Sequence, residues 1–306
     1  MFENKIKELS LRNKFLIDFM VGGISAALSK TAVAPFERVK LLLQTQDINP
    51  DIINGTIPRY RGIFDCLKRV SKEQGILSLW RGNTTNVLRY FPTQALGFAF
   101  KGFLRNKMPK CNTKNKVLKT FTLNMLSGGL AGAASSGIVY PLDLARTRLA
   151  TDLGKNEKEF TGMIDCMRKV SKRTGIKSLY NGFLVSIQGI FVYRAAYFGL
   201  YDTTKEILFK NSRKDNILYK WIIAQSVTTI SSMICYPFDT IRRRMMMMAG
   251  KKGKNLLYKN SFDCLFKMIR TEGFVTLYKG SLSNILRGTG GALVLVLYDE
   301  FKKILE

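Results

Sequence analysis

Three copies of one proline-acid-base element carry the chemistry that this sequence can perform. The copies are Pro35-Phe-Glu37-Arg-Val-Lys40, Pro141-Leu-Asp143-Leu-Ala-Arg146 and Pro237-Phe-Asp239-Thr-Ile-Arg242. In each copy the acid and the base are three residues apart, so they share roughly one face of a helix. If three such helices meet around a threefold axis, each acid can pair with the base of a neighbour. A ring of three ion pairs would close a pathway, and it could open when a bound solute offsets the lost pairs.

Ordinary helix-end capping, with solvated acids and bases, is the alternative interpretation of this element. A single copy would suit that interpretation. Three copies in register disfavour it, and they favour the ion-pair ring.

Four further basic residues lie inside otherwise apolar segments, namely Lys30, Arg89, Arg194 and Arg287. An ionised group in a membrane costs several kcal/mol unless it has a partner or a water-filled cavity. As an alternative, each of these four side chains could extend to the lipid headgroups. All four together are better explained by a hydrated central cavity that attracts an anion.

The composition excludes several kinds of site. The chain has no histidine, and its five cysteines include no CxxC pair, so we expect neither a His-based metal site nor a His-dependent triad. Scattered cysteines are typical of a reducing compartment. The formal net charge of +27 limits the partners to polyanions. The first residues resemble neither a secretory signal nor an Arg-rich transit peptide, so we expect targeting information within the body of the protein.

The whole chain repeats with a period of about 100 residues, far longer than the 20–50 residues of solenoid arrays. Two landmarks follow each proline element in the same order. The first is an aromatic residue leading to Asp-Cys, at 60–66, 160–166 and 258–264. The second is a glycine followed by an aromatic-x-Gly closure, at 75–82, 175–182 and 273–280. The predicted repeats are 13–112, 119–211 and 217–306.

Long uncharged runs precede two of the prolines. Residues 120–142 form a run of 23 and residues 221–238 a run of 18, close to the roughly 20 residues that cross a bilayer. Four more apolar segments, each interrupted by single charges, are 13–46, 82–105, 183–205 and 282–303. We therefore predict an all-α membrane protein with six transmembrane helices and a short amphipathic connector helix in each repeat. A soluble bundle is the alternative, and the 23-residue run counts against it.

The threefold proline-acid-base signature resembles that of the mitochondrial carrier family over the whole chain. Within the family, the string Arg242-Arg243-Arg244-Met245-Met246-Met247 is typical of the adenine nucleotide exchangers. Segments 30–44, 89–96, 193–199 and 287–300 are similar to theirs as well.

This resemblance implies an antiporter of the inner mitochondrial membrane that imports ADP in exchange for ATP by alternating access. It implies a matrix gate that pairs Glu37 with Arg146, Asp143 with Arg242 and Asp239 with Lys40, and Gln44 braces one pair. An outer gate would use Tyr201-Asp202-Thr-Thr-Lys205 and Tyr298-Asp299-Glu-Phe-Lys302. The first repeat has Gly102 where an aspartate is usual, three residues before Arg105, so one outer pair should be missing and this gate weaker.

Gates should follow the threefold pattern, whereas contacts with an asymmetric nucleotide should break it. Seven residues after the closing glycines stand Arg89, Gly189 and Arg287, and five before the prolines stand Lys30, Ser136 and Ser232. Lys30, Arg89 and Arg287 are thus candidates for binding phosphates. Gly189, Ile190 and Tyr193 would hold the adenine ring, and Arg243 could join them. These positions match the contact residues that the family implies.

The implied partners are ADP and ATP as transported solutes, together with membrane lipid of the cardiolipin type, for a monomer that uses no cofactor, no metal and no nucleic acid. A transporter of this kind needs no covalent catalysis, so we do not expect an enzyme. Two alternatives stay open at this point. A carrier of the same fold could move another phosphorylated anion, or the chain could be a basic helical nucleic-acid-binding protein, which salt alone would extract.

Overall fold

The computed structural model describes residues 26–107, 117–153, 159–204, 217–253 and 256–286, and every regular element in these ranges is helical. The α-helices are α1 (26–45), α2 (Pro50–Ile53), α3 (Ile63–Gln74), α4 (Asn83–Lys107), α5 (Val117–Thr151), α6 (Met163–Thr174), α7 (Phe183–Thr204), α8 (Ile217–Met247), α9 (Ser261–Glu272) and α10 (281–286). Short 3-10 helices cover Gln46–Ile48, Ile76–Trp80, Ile176–Tyr180 and Phe274–Tyr278.

Each repeat has the same order of elements. A long helix that contains the signature proline (α1, α5 or α8) is followed by a 12-residue connector helix (α3, α6 or α9), a 3-10 turn and a second helix (α4, α7 or α10). The connectors are amphipathic, with one buried stripe that includes a cysteine in every copy. A glycine with positive φ ends each connector, at Gly75, Gly175 and Gly273. The predicted connector helices are therefore present in all three repeats.

The signature prolines lie inside their helices and do not end them. Helix α5 continues past Pro141 to Thr151, and α8 continues past Pro237 to Met247. The uncharged runs found in the sequence stop at these prolines, so the helices are longer than the runs. A proline lacks the N–H that would bond one turn back, and in a membrane helix neighbouring helices and polar side chains can satisfy the freed carbonyl.

The cores of the molecule lie where the end of a proline helix meets a connector, and each core takes residues from two repeats. Three clusters of buried apolar residues have the fully buried Cys66, Cys166 and Cys264 among their members. Leu153 of the second repeat joins the first cluster, and Ile48 of the first repeat joins the cluster around Cys264. Outside these clusters, α4 packs on α5 and α7 packs on α8. The repeats are therefore packed together and are not independent units.

Among the described residues, the segment Ile176–Tyr201 is the one helical stretch that could cross a membrane judged by length and composition alone. Charged side chains interrupt α1 and α4, and small or polar residues lower the mean hydropathy of the uncharged runs in α5 and α8. Most of the predicted segment 282–303 lies outside the described residues, as does the beginning of segment 13–46.

Candidate functional site

The acids and bases of the three signature elements meet at one level of the helix bundle. Arg146 contacts Glu37, Arg242 contacts Asp143, and Lys40 Nζ lies 2.6 Å from Asp239 Oδ2. Every pair joins two different repeats, so the three pairs form a closed circle. We call these six side chains the ion-pair ring. The structure thus brings together the same partners that the family resemblance implies.

The ring is largely shielded from water. The six side chains are between 7% and 22% exposed, with Asp143 the most buried. Buried ion pairs add little net stability, because desolvation offsets their attraction, but removing one partner is costly. A ring of this kind is suited to a closure that must open and re-form intact.

Polar neighbours complete the hydrogen bonding of the ring. Gln44 Nε2 donates to Thr240 Oγ1 at 3.3 Å and, at 3.4 Å, to Asp239 Oδ2. Asn86 Nδ2 donates to Glu37 Oε2 at 3.0 Å, and Asn284 Oδ1 accepts from Lys40 Nζ at 3.0 Å.

The two asparagines were not predicted from the sequence. A signal exists, because each stands four residues after the closing glycine of its repeat. The second repeat has Ser186 at that position.

A cavity of about 770 Å³ lies against the ring. Asp239 and Arg242 of the ring line it, and so do the predicted adenine-site residues Gly189, Ile190 and Tyr193. Tyr193 begins a row of stacked rings, with centroids 6.1 Å from Tyr193 to Tyr197 and 6.0 Å from Tyr197 to Tyr201. The cavity therefore offers both an aromatic wall and a charged floor.

The predicted phosphate-binding cations that the structure describes do not line this cavity. Lys30 Nζ lies 5.2 Å from the centroid of the Tyr90 ring. Arg89 Nη1 lies 3.6 Å from Asp143 Oδ1, so it is attached to the ion-pair ring. Arg243 also touches the ring, with Nε 3.5 Å from Asp239 Oδ1, and it donates to Thr147 Oγ1 at 2.7 Å.

Of the four basic residues that the sequence assigned to a hydrated cavity, Arg194 does line the cavity, although the symmetry pattern did not place it among the nucleotide contacts. Its guanidinium lies across two glycines of α5: a Cβ built at Gly128 would be 2.6 Å from Arg194 Nη1, and one at Gly132 would be 3.6 Å from Nη2. The small residues of α5 thus make room for this cation. The symmetry comparison overlooked it because it considered only a few positions in each repeat.

The remaining predicted site residues lie in the buried core or in parts of the chain that the structure does not describe. Met245, Met246 and Met247 are buried core residues, at most 6% exposed. Arg287, Lys205, Asp299 and Lys302 lie outside the described residues, as do the side chains of Arg105 and Asp202.

Arg244 is fully buried at the junction of the third and first repeats. It contacts both Glu272 and Asp47, with Arg244 Nη2 3.0 Å from Asp47 Oδ2. Burial alone would raise the pKa of Glu272, but hydrogen bonds from Arg244 outweigh burial and lower that pKa to about 2. The carboxylate therefore stays ionised at neutral pH and holds the arginine in place.

Comparison with known proteins gives this geometry its context. The sequence model of the mitochondrial carrier protein family matches residues 12–111, 118–212 and 213–306, one match for each repeat. The chain belongs to the mitochondrial carrier family. The predicted six-helix carrier fold built from three related repeats is confirmed by these matches.

Relatives of this carrier are similar along almost its full length. An ADP,ATP carrier protein from Parachlorella kessleri is 56% identical over 292 residues, which cover 95% of this chain and 85% of the relative. ADP/ATP translocase 3 from Bos taurus is 53% identical over 294 residues, covering 95% and 98%. ADP/ATP translocase 2 from Rattus norvegicus is 54% identical over 292 residues, covering 94% and 97%.

Proposed function

We propose that this carrier imports ADP into the mitochondrial matrix in exchange for ATP, as a multi-pass protein of the inner membrane that works by alternating access. The names of the relatives support the substrates. The observation that carries the proposal is the ion-pair ring at the floor of the cavity, because a closed ring below a solute-sized chamber is what a gate requires. In this proposal the ring is the matrix gate, and Gln44 braces it.

The proposed nucleotide site combines the cavity with the predicted phosphate-binding residues. Gly189, Ile190 and Tyr193 hold the adenine ring, since they form a small pocket with an aromatic face. Lys30, Arg89, Arg243 and Arg287 bind the phosphates.

Arg89 is central to coupling between the site and the gate. In the closed ring it lies 3.6 Å from Asp143 Oδ1. A phosphate that attracts Arg89 takes a counter-charge away from Asp143, so binding of the solute weakens the gate.

Exchange also requires a gate at the opposite end of the cavity. We assign this outer gate to Asp202, Lys205, Asp299, Lys302 and Arg105, with one pair missing because of Gly102. Because all three repeats move alike during gating, we retain 13–112, 119–211 and 217–306 as the moving units. Transport by this route needs no covalent step.

Two further proposals concern the surroundings of the carrier. Cardiolipin would bind at the connector helices and the aromatic-x-Gly elements, where helix N-termini can hold a lipid phosphate. The closed circle of contacts among the three repeats supports a monomer as the transporting unit, since one chain completes the ring.

The proposal is tested by uptake of labelled ADP into liposomes that contain the purified carrier and are preloaded with ATP. We expect rapid uptake, and we expect Arg89→Ala to lower it by about 100-fold or more while the protein still inserts. Arg168→Ala is the matched control, because Arg168 is an exposed arginine on α6 away from the cavity. Equal uptake with phosphate or dicarboxylate loading, or undiminished uptake in Arg89→Ala, would contradict the proposal.

A further inference from the structure

Three arginines outside the ion-pair ring are buried on the proline helices, after the signature prolines. Arg38, Arg148 and Arg244 are 1%, 4% and 0% exposed. Guanidinium groups remain charged when buried, so each of these arginines depends on its hydrogen-bond partners. Their partners follow a rule that holds in all three repeats.

Each arginine donates to a backbone carbonyl near the end of the proline helix in the next repeat. The bonds are Arg38 Nε to Ala150 O at 3.1 Å, Arg148 Nη1 to Met247 O at 2.8 Å and Arg244 Nε to Gln44 O at 3.3 Å. The last carbonyls of a helix have no partner within it, and they carry the negative end of the helix dipole. A buried cation is therefore a fitting partner for them. The contacts run from repeat one to two, from two to three and from three to one.

Each arginine is also attached to its own repeat by other nitrogen atoms. Arg38 donates to Gln74 Oε1 at 2.7 Å and to Ser78 O. Arg148 Nη2 lies 3.1 Å from both carboxylate oxygens of Glu159.

Arg244 follows the same rule in the third repeat. It binds Glu272 through two nitrogen atoms and donates to Thr276 Oγ1 at 3.3 Å. Thus, when two repeats separate, each arginine can keep the partners in its own repeat and release the foreign helix end.

We propose that Arg38, Arg148 and Arg244, which we call the arginine clamps, form a second closure at the same end of the carrier as the ion-pair ring. The proposal rests on the alternating access argued above. Opening the matrix side must break the three bonds to foreign carbonyls as well as the three ion pairs. Arg38 also donates to Asp152 O at 3.3 Å, and Arg244 Nη2 also binds Asp47, so two of the clamps hold the next repeat at a second point. The clamps are positioning residues, since none of them lines the cavity.

Arg148→Lys separates the two kinds of contact. A lysine can retain the pair with Glu159, but its single ammonium group cannot also reach the carbonyl of Met247 in the fork geometry of an arginine. Spin labels at Lys172→Cys on α6 and Arg270→Cys on α9 report the distance between repeats two and three, because both positions are exposed. Cys111 and Cys235 are replaced by serine, and the buried Cys66, Cys166 and Cys264 stay in place.

The measurement is the distribution of label-to-label distances by pulsed electron resonance in lipid nanodiscs, with and without saturating ADP. We expect Arg148→Lys to raise the ratio of long to short distances about tenfold, as for the loss of one hydrogen bond from a charged donor. Arg61→Lys, an exposed arginine next to α3, should leave the distribution unchanged. An unchanged distribution in folded Arg148→Lys, in both conditions, would overturn the proposal.

A second variant keeps the test decisive if Arg148→Lys does not fold. Arg38→Lys is read by labels at Lys72→Cys and Lys172→Cys, which span repeats one and two. Uptake assays separate an effect on gating from a structural defect. Looser clamps change kcat for exchange and leave KM for ADP near that of the parent. A structural defect instead lowers the folded fraction and the thermal transition, and no population with long label-to-label distances appears. If the parent carrier shows no nucleotide exchange, the proposed function fails, but the distances without ADP still test the clamps.

Discussion

Tyr140 and Tyr236 immediately precede the signature prolines of repeats two and three, and each presents its ring to a base of the ion-pair ring. Arg242 lies 5.2 Å from the centroid of Tyr140, and Lys40 Nζ lies 5.1 Å from that of Tyr236. Cation–π contacts of this kind contribute about 0.5–2 kcal/mol, the larger values when desolvated. The first repeat has Ala34 at this position, which offers no ring to Arg146. The three ion pairs therefore have equivalent partners, but the tyrosine before the proline stabilises only two of them.

The cysteines provide a residue-scale test of the cavity. Cys235 lines the cavity, and its Sγ donates to Gly189 O at 3.1 Å. Cys66, Cys166 and Cys264 are each 0% exposed, so a polar reagent does not reach their sulfur atoms. In a Cys111→Ser background, we expect a polar maleimide to label Cys235 alone, and ADP to slow the labelling several-fold. Cys235→Ser is the control, and equal labelling of that variant would show that the cavity is not the reactive site.

Recurrence in the sequence made the ion-pair ring predictable, residue by residue. The same criterion failed for groups that do not recur at one offset. Arg148 and Arg244 stand seven residues after their prolines, whereas Arg38 stands three residues after Pro35 and does the same work. Only the geometry of the neighbouring helix end makes these positions equivalent, and a linear comparison does not contain that geometry.

The closing glycine of each repeat explains the aromatic-x-Gly element. Gly82, Gly182 and Gly280 all have φ near +84° and lie against the backbone of a gate base in the next repeat. A Cβ at Gly182 would be 3.0 Å from Arg242 O, and one at Gly280 would be 3.2 Å from Lys40 O. The residue before the glycine accepts a hydrogen bond from a tyrosine in two repeats, from Tyr140 to Asn181 O and from Tyr236 to Lys279 O. The start of the second helix is thus fixed directly to the gate.

A matched pair of glycine substitutions tests this contact. Gly182→Ala and Gly175→Ala both place an alanine at φ near +85°, a backbone conformation that L residues rarely adopt, so both variants are strained. Gly175 has no atom within 4 Å of its built Cβ, whereas Gly182 has three within about 3.1 Å. We therefore expect Gly182→Ala to cost a further 1–3 kcal/mol or so and to lower the thermal transition in detergent well below that of Gly175→Ala. Equal transitions for the two variants would contradict the close contact.

At the scale of helices, the apolar runs of the sequence identified the elements but not their ends. The runs end where charges begin, yet α5 and α8 continue for ten residues or more beyond their prolines. The reason is that the charges of the signature elements pair with one another inside the bundle. A hydropathy criterion assumes that a charge must face water, and the ring removes that requirement.

The whole molecule carries a formal charge of +27, and its cavity has a charged floor. This positive charge attracts anionic nucleotides. The carrier need not neutralise every negative charge of the nucleotide that it binds. Exchange of ADP with three negative charges for ATP with four would move one net charge per cycle. A membrane potential acts on that charge with about 2.3 kcal/mol per 100 mV.

Electrical coupling is a prediction for the intact carrier. With a potassium diffusion potential across the liposome membrane, we expect exchange of external ADP for internal ATP to be accelerated when the interior is negative and slowed when it is positive. Exchange of ADP for ADP moves no net charge and serves as the control, with no change expected. A heteroexchange that ignores the sign of the potential would contradict a net movement of charge.

Among the described residues, the ion-pair ring and the arginine clamps join each repeat to the next, and the third repeat to the first. Gln44 and Asp47 of the first repeat receive Arg244 of the third in the same manner as Met247 receives Arg148. A circle of three has no terminal member, so it needs none of the polar end caps that protect a linear array of repeats. Loss of any one unit would leave a buried cation facing water on one side and a bare helix terminus on the other. The number of repeats is therefore fixed by the closure itself.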